Sequence, residues 1–308
     1  MKISIIGAGS VGSLTAMRLA QDNAGDIVLV DIAKGISLGK SLDLEDARWL
    51  LNADYRVYGT DEISEIKGSG IVVITAGLAR KPGMTREDLL LKNAQILKEV
   101  SLNIKLLAPD AIVIVVTNPL DLMTHLAFRT MGFKRNKVFG MGISLDASRF
   151  ANMISQELQV PVCKIEAVVI GSHGESMLPL PRHTKVSGVP LCDFAGKDKT
   201  ELLIDKTVKR GAQIVAALGT GSAFFAPSAA ISQIVNCIIK DEKKIIGVCA
   251  SLEGEYAIKD ICIGVPCRLG KGGIEEVIEL DLNERETKSF QESAHSVSEL
   301  IKGLPCMI

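Results

Sequence analysis

The residue in this sequence best suited to proton transfer is His173, which stands between two glycines in the stretch Val168–Pro179. A run of apolar, β-branched residues ends there in Gly-Ser-His-Gly, which predicts a buried strand that delivers one histidine to a turn. The glycines leave room for a molecule to approach the imidazole, and a histidine can carry a proton near neutral pH. A core histidine with a satisfied hydrogen bond is the alternative, so the choice depends on partners elsewhere.

Two charged residues upstream are candidate partners. Asp146 and Arg149 are three apart in the sequence, at the start of an amphipathic pattern that predicts a helix to about Leu158. This spacing places both side chains on one helix face. Either they pair with each other as a surface salt bridge, or Asp146 orients His173 while Arg149 anchors an anion.

A glycine-rich turn near the start of the chain has the pattern of a phosphate site, Gly7-Ala8-Gly9-Ser10-Val11-Gly12. It follows the predicted strand Ile3–Ile6 and opens a helix, so that backbone N–H groups at the helix N-terminus face the phosphates. A second strand, Asp26–Val30, leads to Asp31, at the spacing expected of a residue that binds ribose hydroxyls. A carboxylate there would repel a 2′-phosphate, which favours NAD over NADP.

Strands and helices continue to alternate through residues 1–143, which predicts an α/β fold: a Rossmann, doubly wound parallel sheet. Further strands are expected at Tyr55–Tyr58, Gly70–Thr75, Ala111–Val116 and Val138–Met141. Ligands bind beyond the carboxyl ends of such strands. Two strand ends therefore matter, one at Thr75 and one at Val116-Thr117-Asn118-Pro119.

Each of these strand ends leads to polar residues with two interpretations. Arg80 and Arg86 flank a Pro-Gly turn before a long helix, and are either two cations on a lid over the site or two solvated arginines. Asn118 either caps the helix Leu120–Met131 or points its amide into the crevice. Asn93, on the long helix, either contacts the cofactor or is a partly exposed helix position.

Residues 144–308 have a different pattern, which predicts an α+β catalytic domain with an antiparallel sheet. The strand Lys164–Ile170 is expected to lead to His173. The other expected elements are helices at Lys197–Leu218, Pro227–Ile239 and Glu284–Lys302, and strands at Ile245–Cys249, Ala257–Val265 and Ile274–Ile278. The remaining histidines (125, 183 and 295) lack a glycine-flanked setting and are interpreted as structural or surface residues.

The composition excludes several classes of protein. Apolar residues make up 47% of the 308 residues, so the chain is not disordered, and a net charge of −1 offers no basic field for nucleic acid. The apolar runs are strand-sized and too short to span a membrane. Seven cysteines without a C-x-x-C pair fit reduced thiols in the cytoplasm and argue against a zinc site.

Four motifs together resemble the lactate/malate dehydrogenase family. They are Ala76-Gly-Leu-Ala-Arg80-Lys-Pro-Gly-Met-Thr-Arg86, Val116-Thr-Asn118-Pro-Leu-Asp, Leu145-Asp146-Ala-Ser-Arg149 and Gly171-Ser-His173-Gly-Glu-Ser-Met. The first is similar to the malate branch, the lactate-dehydrogenase-like malate dehydrogenases. The resemblance implies reversible oxidation of (S)-malate to oxaloacetate with NAD as cofactor, in a homotetramer or homodimer. A lactate or other 2-hydroxy-acid dehydrogenase is the alternative.

The resemblance also implies a role for each matching residue. His173 is expected to donate and accept the proton with Asp146 as its partner, while Arg149 holds one substrate carboxylate and Arg80 the other. Arg86 is expected to polarise the reacting carbonyl and Asn118 to hydrogen-bond its oxygen. The expected cofactor contacts are Gly7, Ala8, Gly9, Ser10, Val11, Gly12, Asp31, Asn93, Val116, Thr117 and Asn118. One departure is Ser172, because the family often has Gly-Gly-His-Gly-Asp at this turn.

Two functions of other classes compete with this interpretation. A catalytically silent NAD-binding sensor would need only the first half of the chain, and would have no use for His173, Asp146, Arg86 and Arg149 together. An NAD-dependent glycosidase on a similar fold would need a metal, for which the sequence offers no Cys/His cluster.

Overall fold

The computed structural model describes residues 1–78 and 86–303, apart from the side chain of Arg86. The expected alternation is present in the first part of the chain. Its elements are β1 (Lys2–Ile6), α1 (Ser10–Gln21), β2 (Asp26–Val30), α2 (Ile36–Leu51), β3 (Val57–Thr60), β4 (Ile71–Ile74), α3 (Arg86–Leu107), β5 (Ile112–Val115), α4 (Leu120–Met131) and β6 (Val138–Gly140).

The second part of the chain is mixed. Its helices are α5 (Ile143–Leu158), α6 (Leu191–Ala195), α7 (Lys197–Leu218), α8 (Phe225–Ile239) and α9 (Glu284–Lys302). Its strands are β7 (Ile165–Glu166), β8 (Val169–Gly171), β9 (Met177–Pro179), β10 (Lys185–Val186), β11 (Val189–Pro190), β12 (Lys244–Glu253), β13 (Lys259–Gly270) and β14 (Gly273–Val277).

Strands β1 to β6 form a parallel sheet in the order β3-β2-β1-β4-β5-β6. Their side chains alternate between two buried faces, so that Ile3 and Ile5 pack on one side while Ile6 and Val72 pack on the other. Sequence order reverses on the two sides of β1, which leaves a crevice beyond the carboxyl ends of β1 and β4. The doubly wound Rossmann sheet is confirmed.

The antiparallel strands extend this same sheet rather than forming a separate one. β12 pairs with β6 through Cys249 and Gly140, and the order continues β12-β13-β8-β9. The predicted antiparallel layer is therefore present, joined edge to edge with the parallel strands. The proposed domain boundary between residues 143 and 144 falls in the first turn of α5.

Two strand predictions need correction. Lys164–Ile170 is not one strand: β7 pairs with β10 in a small second sheet, whereas β8 pairs with β9 and β13. Between β7 and β8, the backbone N–H of Val168 donates to the Thr184 hydroxyl. The strand-to-strand hydrogen bonding is interrupted at this point. The strand expected at Tyr55–Tyr58 is shifted to β3, because pairing with β2 begins at Val57 and continues to Thr60. Tyr55 precedes the strand as a buried side chain whose hydroxyl donates to the carbonyl of Leu44.

Within the described residues, no helix combines the length and the apolar character needed to cross a membrane. In the same part of the chain, no three His, Cys, Asp or Glu side chains lie together as metal ligands would.

Candidate active site

The turn after β8 presents His173 as the sequence predicts. Gly171 and Gly174 have φ angles of 92° and 112°, in the region that favours glycine, so the chain can reverse sharply on both sides of the histidine. The backbone N–H of Ser172 donates to the hydroxyl of Ser293 on α9 over 2.9 Å. That hydroxyl donates in turn to the carbonyl of Ser176, so one buried serine holds both sides of the turn.

The structure brings His173, Asp146 and Arg149 together. Nδ1 of His173 lies 2.7 Å from Oδ2 of Asp146, and Nη1 of Arg149 donates to Oδ1 of Asp146 over 2.9 Å. The Asp146 side chain is fully buried. A carboxylate only accepts hydrogen bonds, so Nδ1 carries the proton and Nε2 is the ring atom left for a substrate. The pair is therefore present, but buried rather than on the surface, and Asp146 contacts His173 at the same time.

The surroundings of His173 favour the protonated ring. Burial alone would lower the pKa of His173, but the charge of Asp146 and its hydrogen bond outweigh burial, with a smaller contribution from Asp121. Arg149 opposes them. The net result is a raised pKa, as a group that donates a proton near neutral pH requires.

His125 provides a contrast within the same fold. It is also buried, on α4, and desolvation together with the charge of Arg129 lowers its pKa to about 4. The charge of Asp260 opposes this shift, but among the described residues no partner hydrogen-bonds Nδ1 of His125, so His125 stays neutral near pH 7. This agrees with its interpretation as a structural residue.

Arg149 lies behind Asp146, packed against Gly211 of α7, where an added Cβ would approach Nη1 to 3.5 Å. Its Nε is buried with no hydrogen-bond partner among the described residues. A guanidinium with donors to spare is suited to a bidentate bond with a carboxylate. Its role as the anchor of a substrate anion stays a prediction.

Asn93 joins the two strand ends that the sequence singles out. It is buried rather than partly exposed, its Oδ1 accepts the backbone N–H of Leu78, and its Nδ2 donates to the carbonyl of Asn118. The side chain of Asn118 forms no cap for α4. The Thr117 hydroxyl donates to the carbonyl of Ala76, which further ties the end of β5 to that of β4.

The glycine-rich turn fits a dinucleotide. A Cβ on Gly12 would lie 1.9 Å from the carbonyl oxygen of Gly7, so only glycine allows α1 to pack this close. Gly9 faces open space at the N-terminus of α1, as the approach of a pyrophosphate requires. Asp31 accepts the backbone N–H groups of Ala8 and Ala33 with its two carboxylate oxygens. It therefore stiffens the turn, and its contact with the ribose stays a prediction.

One cavity of about 480 Å³ connects these parts. It runs from Val11 beside the glycine-rich turn, along the ends of β4 and β5, to His173. Its lining includes the predicted residues Val11, Asn93, Val116, Thr117, Asn118 and His173. Arg80 and the side chain of Arg86 lie outside the described residues, so their predicted place over this cavity stays a prediction.

Comparison with known proteins identifies the family. The family model for the NAD-binding domain of lactate/malate dehydrogenases matches residues 1–140, and that for their alpha/beta C-terminal domain matches residues 143–304. The chain belongs to the lactate/malate dehydrogenase family. It is an NAD-binding oxidoreductase, and the family resemblance of its motifs is confirmed.

Individual members of the lactate/malate dehydrogenase family align over almost the whole chain. The malate dehydrogenase of Methanosarcina barkeri is 48% identical over 303 residues, which are 98% of this chain and 99% of that protein. The structure of the malate dehydrogenase of Cryptosporidium parvum has a TM-score of 0.95 at 38% identity, covering 99% of this chain and 98% of that one. The lactate dehydrogenase of the same organism, complexed with lactic acid and NAD, has a TM-score of 0.95 at 37% identity with the same coverage.

Sequence reasoning missed two charged residues of this family member. Lys40 of α2 donates from Nζ to the carbonyl of Ala8 over 2.5 Å and to the hydroxyl of Ser13 over 2.9 Å, which places a positive charge beside the glycine-rich turn. Asp121 of α4 is buried beneath the histidine turn. No local sequence pattern marks Lys40 as part of the site. Asp121 lies in the Thr-Asn-Pro-Leu-Asp motif, but the motif alone does not indicate what its side chain does.

Replacing Asp31 with asparagine tests the cofactor preference of this family member. The loss of the carboxylate is expected to weaken NADH binding about 10-fold and to improve relative binding of NADPH, because charged hydrogen bonds contribute about 1.5–3 kcal/mol. Titrations of NADH and NADPH by fluorescence measure the ratio. Asp26→Asn is the control, because Asp26 is exposed at the start of β2, the strand that leads to Asp31. An unchanged ratio in Asp31→Asn would remove Asp31 from the cofactor site.

Proposed function

We propose that this protein is an NAD-dependent malate dehydrogenase, which interconverts (S)-malate and oxaloacetate. The observation that carries the proposal is the single cavity that joins the dinucleotide turn to His173, with Asp146 and Arg149 behind the histidine. The names of its relatives and the motif that contains Arg80 favour malate as substrate.

The proposed reaction assigns the proton to the protein and the hydride to the cofactor. In malate oxidation, neutral His173 accepts the hydroxyl proton at Nε2, and NAD bound at the glycine-rich turn would take up the hydride of C2. In the reverse direction, the imidazolium returns its proton to the carbonyl oxygen. Asp146 stabilises the imidazolium that forms. Arg149 and Arg80 hold the two substrate carboxylates, and Arg86 and Asn118 bind the reacting oxygen.

The decisive substrate test is Arg80→Gln. The variant is expected to lose about 100-fold in kcat/KM for oxaloacetate and to gain relative activity on pyruvate, because a charge-assisted bond to the second carboxylate is lost. An NADH absorbance assay with each substrate, without added metal, measures both. Lys81→Gln removes the neighbouring charge and is expected to keep the wild-type preference. If Arg80→Gln also keeps it, Arg80 does not select the substrate.

A lactate dehydrogenase is the second candidate, since structures of lactate dehydrogenases match the fold as well as those of malate dehydrogenases do. Side-by-side kcat/KM values of the wild type for oxaloacetate and pyruvate, with NADH, decide between the two. A preference for pyruvate would overturn the malate assignment while leaving the role of His173 in place.

The proposal extends to assembly and location. Apolar side chains are exposed on α2, with Trp49 86% and Leu50 76% accessible, which supports a homodimer or homotetramer that covers them. The six described cysteines are free thiols, which supports a cytoplasmic location. Light scattering on the purified protein measures the assembly state.

A further inference from the structure

Asp121 is a buried carboxyl group that the proposed reaction does not use. It lies in the first turn of α4, two residues after the Asn118-Pro119 strand end, and its side chain is enclosed by protein. Its Oδ2 accepts two hydrogen bonds from the histidine turn: one from the backbone N–H of His173 over 2.9 Å and one from the hydroxyl of Ser172 over 2.8 Å.

The groups around Asp121 are donors. Besides the two bonds to Oδ2, the Cys249 thiol of β12 faces the carboxyl group and favours its ionised form. Oδ1 is buried with no hydrogen-bond partner among the described residues, so a proton there would have no acceptor. Burial leaves the pKa of Asp121 above its ordinary value although the three donors oppose that shift, so the geometry decides the protonation state: every hydrogen-bonding group described beside the carboxyl group is a donor. We therefore assign the carboxylate form to Asp121.

His173 is consequently held from two sides. Asp146 of α5 binds the ring at Nδ1, and Asp121 of α4 binds the backbone of the same residue. On the proposed function, we infer that Asp121 is a positioning residue for His173, which fixes the histidine turn and adds a second negative charge to that of Asp146 in favour of the imidazolium.

Ser172 supplies one of the two hydrogen bonds from the histidine turn to Asp121. The family often has glycine at this position, and glycine cannot supply the hydroxyl that bonds Asp121. The position does not itself require glycine, because Ser172 is not among the residues with positive φ. The hydroxyl stabilises the carboxylate form of Asp121, so Ser172 acts on His173 through Asp121.

Asp121→Asn tests the inference, because the amide keeps an acceptor for the turn but removes the charge. We expect kcat/KM for oxaloacetate to fall about 10-fold at pH 8 and the alkaline limb of its pH profile to move down by about one unit. The dissociation constant of NADH is expected to stay at the wild-type value. A purely structural role of Asp121 would leave the pH profile in place.

The groups that set the protonation of His173 define the controls. They are Asp146 and Arg149 on α5 and Asp121 on α4. Two thiols act on Asp121 in turn, Cys249 on β12 and Cys262 on β13. Burial raises the pKa of both thiols, so they stay neutral through the assayed range. Thr200→Val, which removes a buried hydroxyl on α7 that donates to the carbonyl of Gly196, is expected to leave the pH profile unchanged.

An NMR titration of ¹⁵N-labelled imidazoles supplies a readout besides activity, since the chain has four histidines and His173→Asn assigns the signal. The pKa of His173 is expected to fall in Asp121→Asn. The pKa of His173 is also expected to fall in Ser172→Ala, by a smaller amount. This second variant tests the inference if Asp121→Asn fails to fold. Wild-type values in both variants would overturn the inference. A wild type without dehydrogenase activity would instead overturn the proposed function.

Discussion

His173→Asn is expected to lower kcat for oxaloacetate reduction about 10³-fold, within the range that a positioned acid–base group contributes. Asparagine can still bond Asp146, but it has no proton to transfer at Nε2. The dissociation constant of NADH is expected to change little, because the glycine-rich turn lies at the other end of the cavity. Stopped-flow turnover and NADH fluorescence titration measure the two quantities.

The matched control for this variant is His295→Asn, an exposed histidine on α9. It is expected to behave as the wild type in both assays. If His173→Asn retained a tenth or more of wild-type turnover, the proton would have to come from another group, and the assignment of the acid–base residue would be wrong.

Asp146→Asn is expected to have an effect of similar size for a different reason. The variant leaves both His173 and Arg149 without their buried carboxylate, which lowers the pKa of His173 and slows oxaloacetate reduction about 10³-fold at neutral pH. Part of the activity is expected to return at lower pH, where the ring is protonated again. The cost in unfolding free energy is about 3–5 kcal/mol, as for other broken buried ion pairs.

The pH dependence of that cost follows from the raised pKa of His173. A group whose pKa is higher in the folded state adds stability that is complete below its unfolded value of about 6.5 and is lost as pH rises through the folded value. The stability difference between wild type and Asp146→Asn is therefore expected to be larger at pH 6 than at pH 9. Urea unfolding at both values measures it. Asp205→Asn, which breaks the exposed pair with Lys209, is the control and should show little difference at either pH.

The sequence predicts the regular elements best where their ends carry local signals. Helices α4, α7 and α9 lie at the predicted residues. Gly132 and Gly219 have positive φ immediately after α4 and α7, and Asn283 and Glu286 form a capping box before α9. The break inside the apolar run Lys164–Ile170, between β7 and β8, has no such signal. Hydrophobicity alone does not tell which sheet each half of the run joins.

Site residues could be predicted from the sequence where the residue type and its neighbours restrict the chemistry that the side chain can perform. A histidine between glycines and a carboxylate on a helix face offered their pairing as one of two interpretations, and the structure brings His173 and Asp146 together. Asn93 and Asp121 were harder, because their partners are backbone groups far along the chain. Sequence reasoning can find a polar residue in an apolar helix, but it cannot name the carbonyl or N–H that the residue meets.

The continuous sheet from β3 to β9 has a mechanical consequence. The half that carries the glycine-rich turn and the half that carries His173 are joined by hydrogen bonds between β6 and β12, and Ile143 packs closely against Gly247 and Gly264 of the antiparallel strands. Swinging the halves apart would break this ladder. On the proposed function, this one continuous sheet therefore sets the distance between the glycine-rich turn and His173, the two groups that the cavity joins.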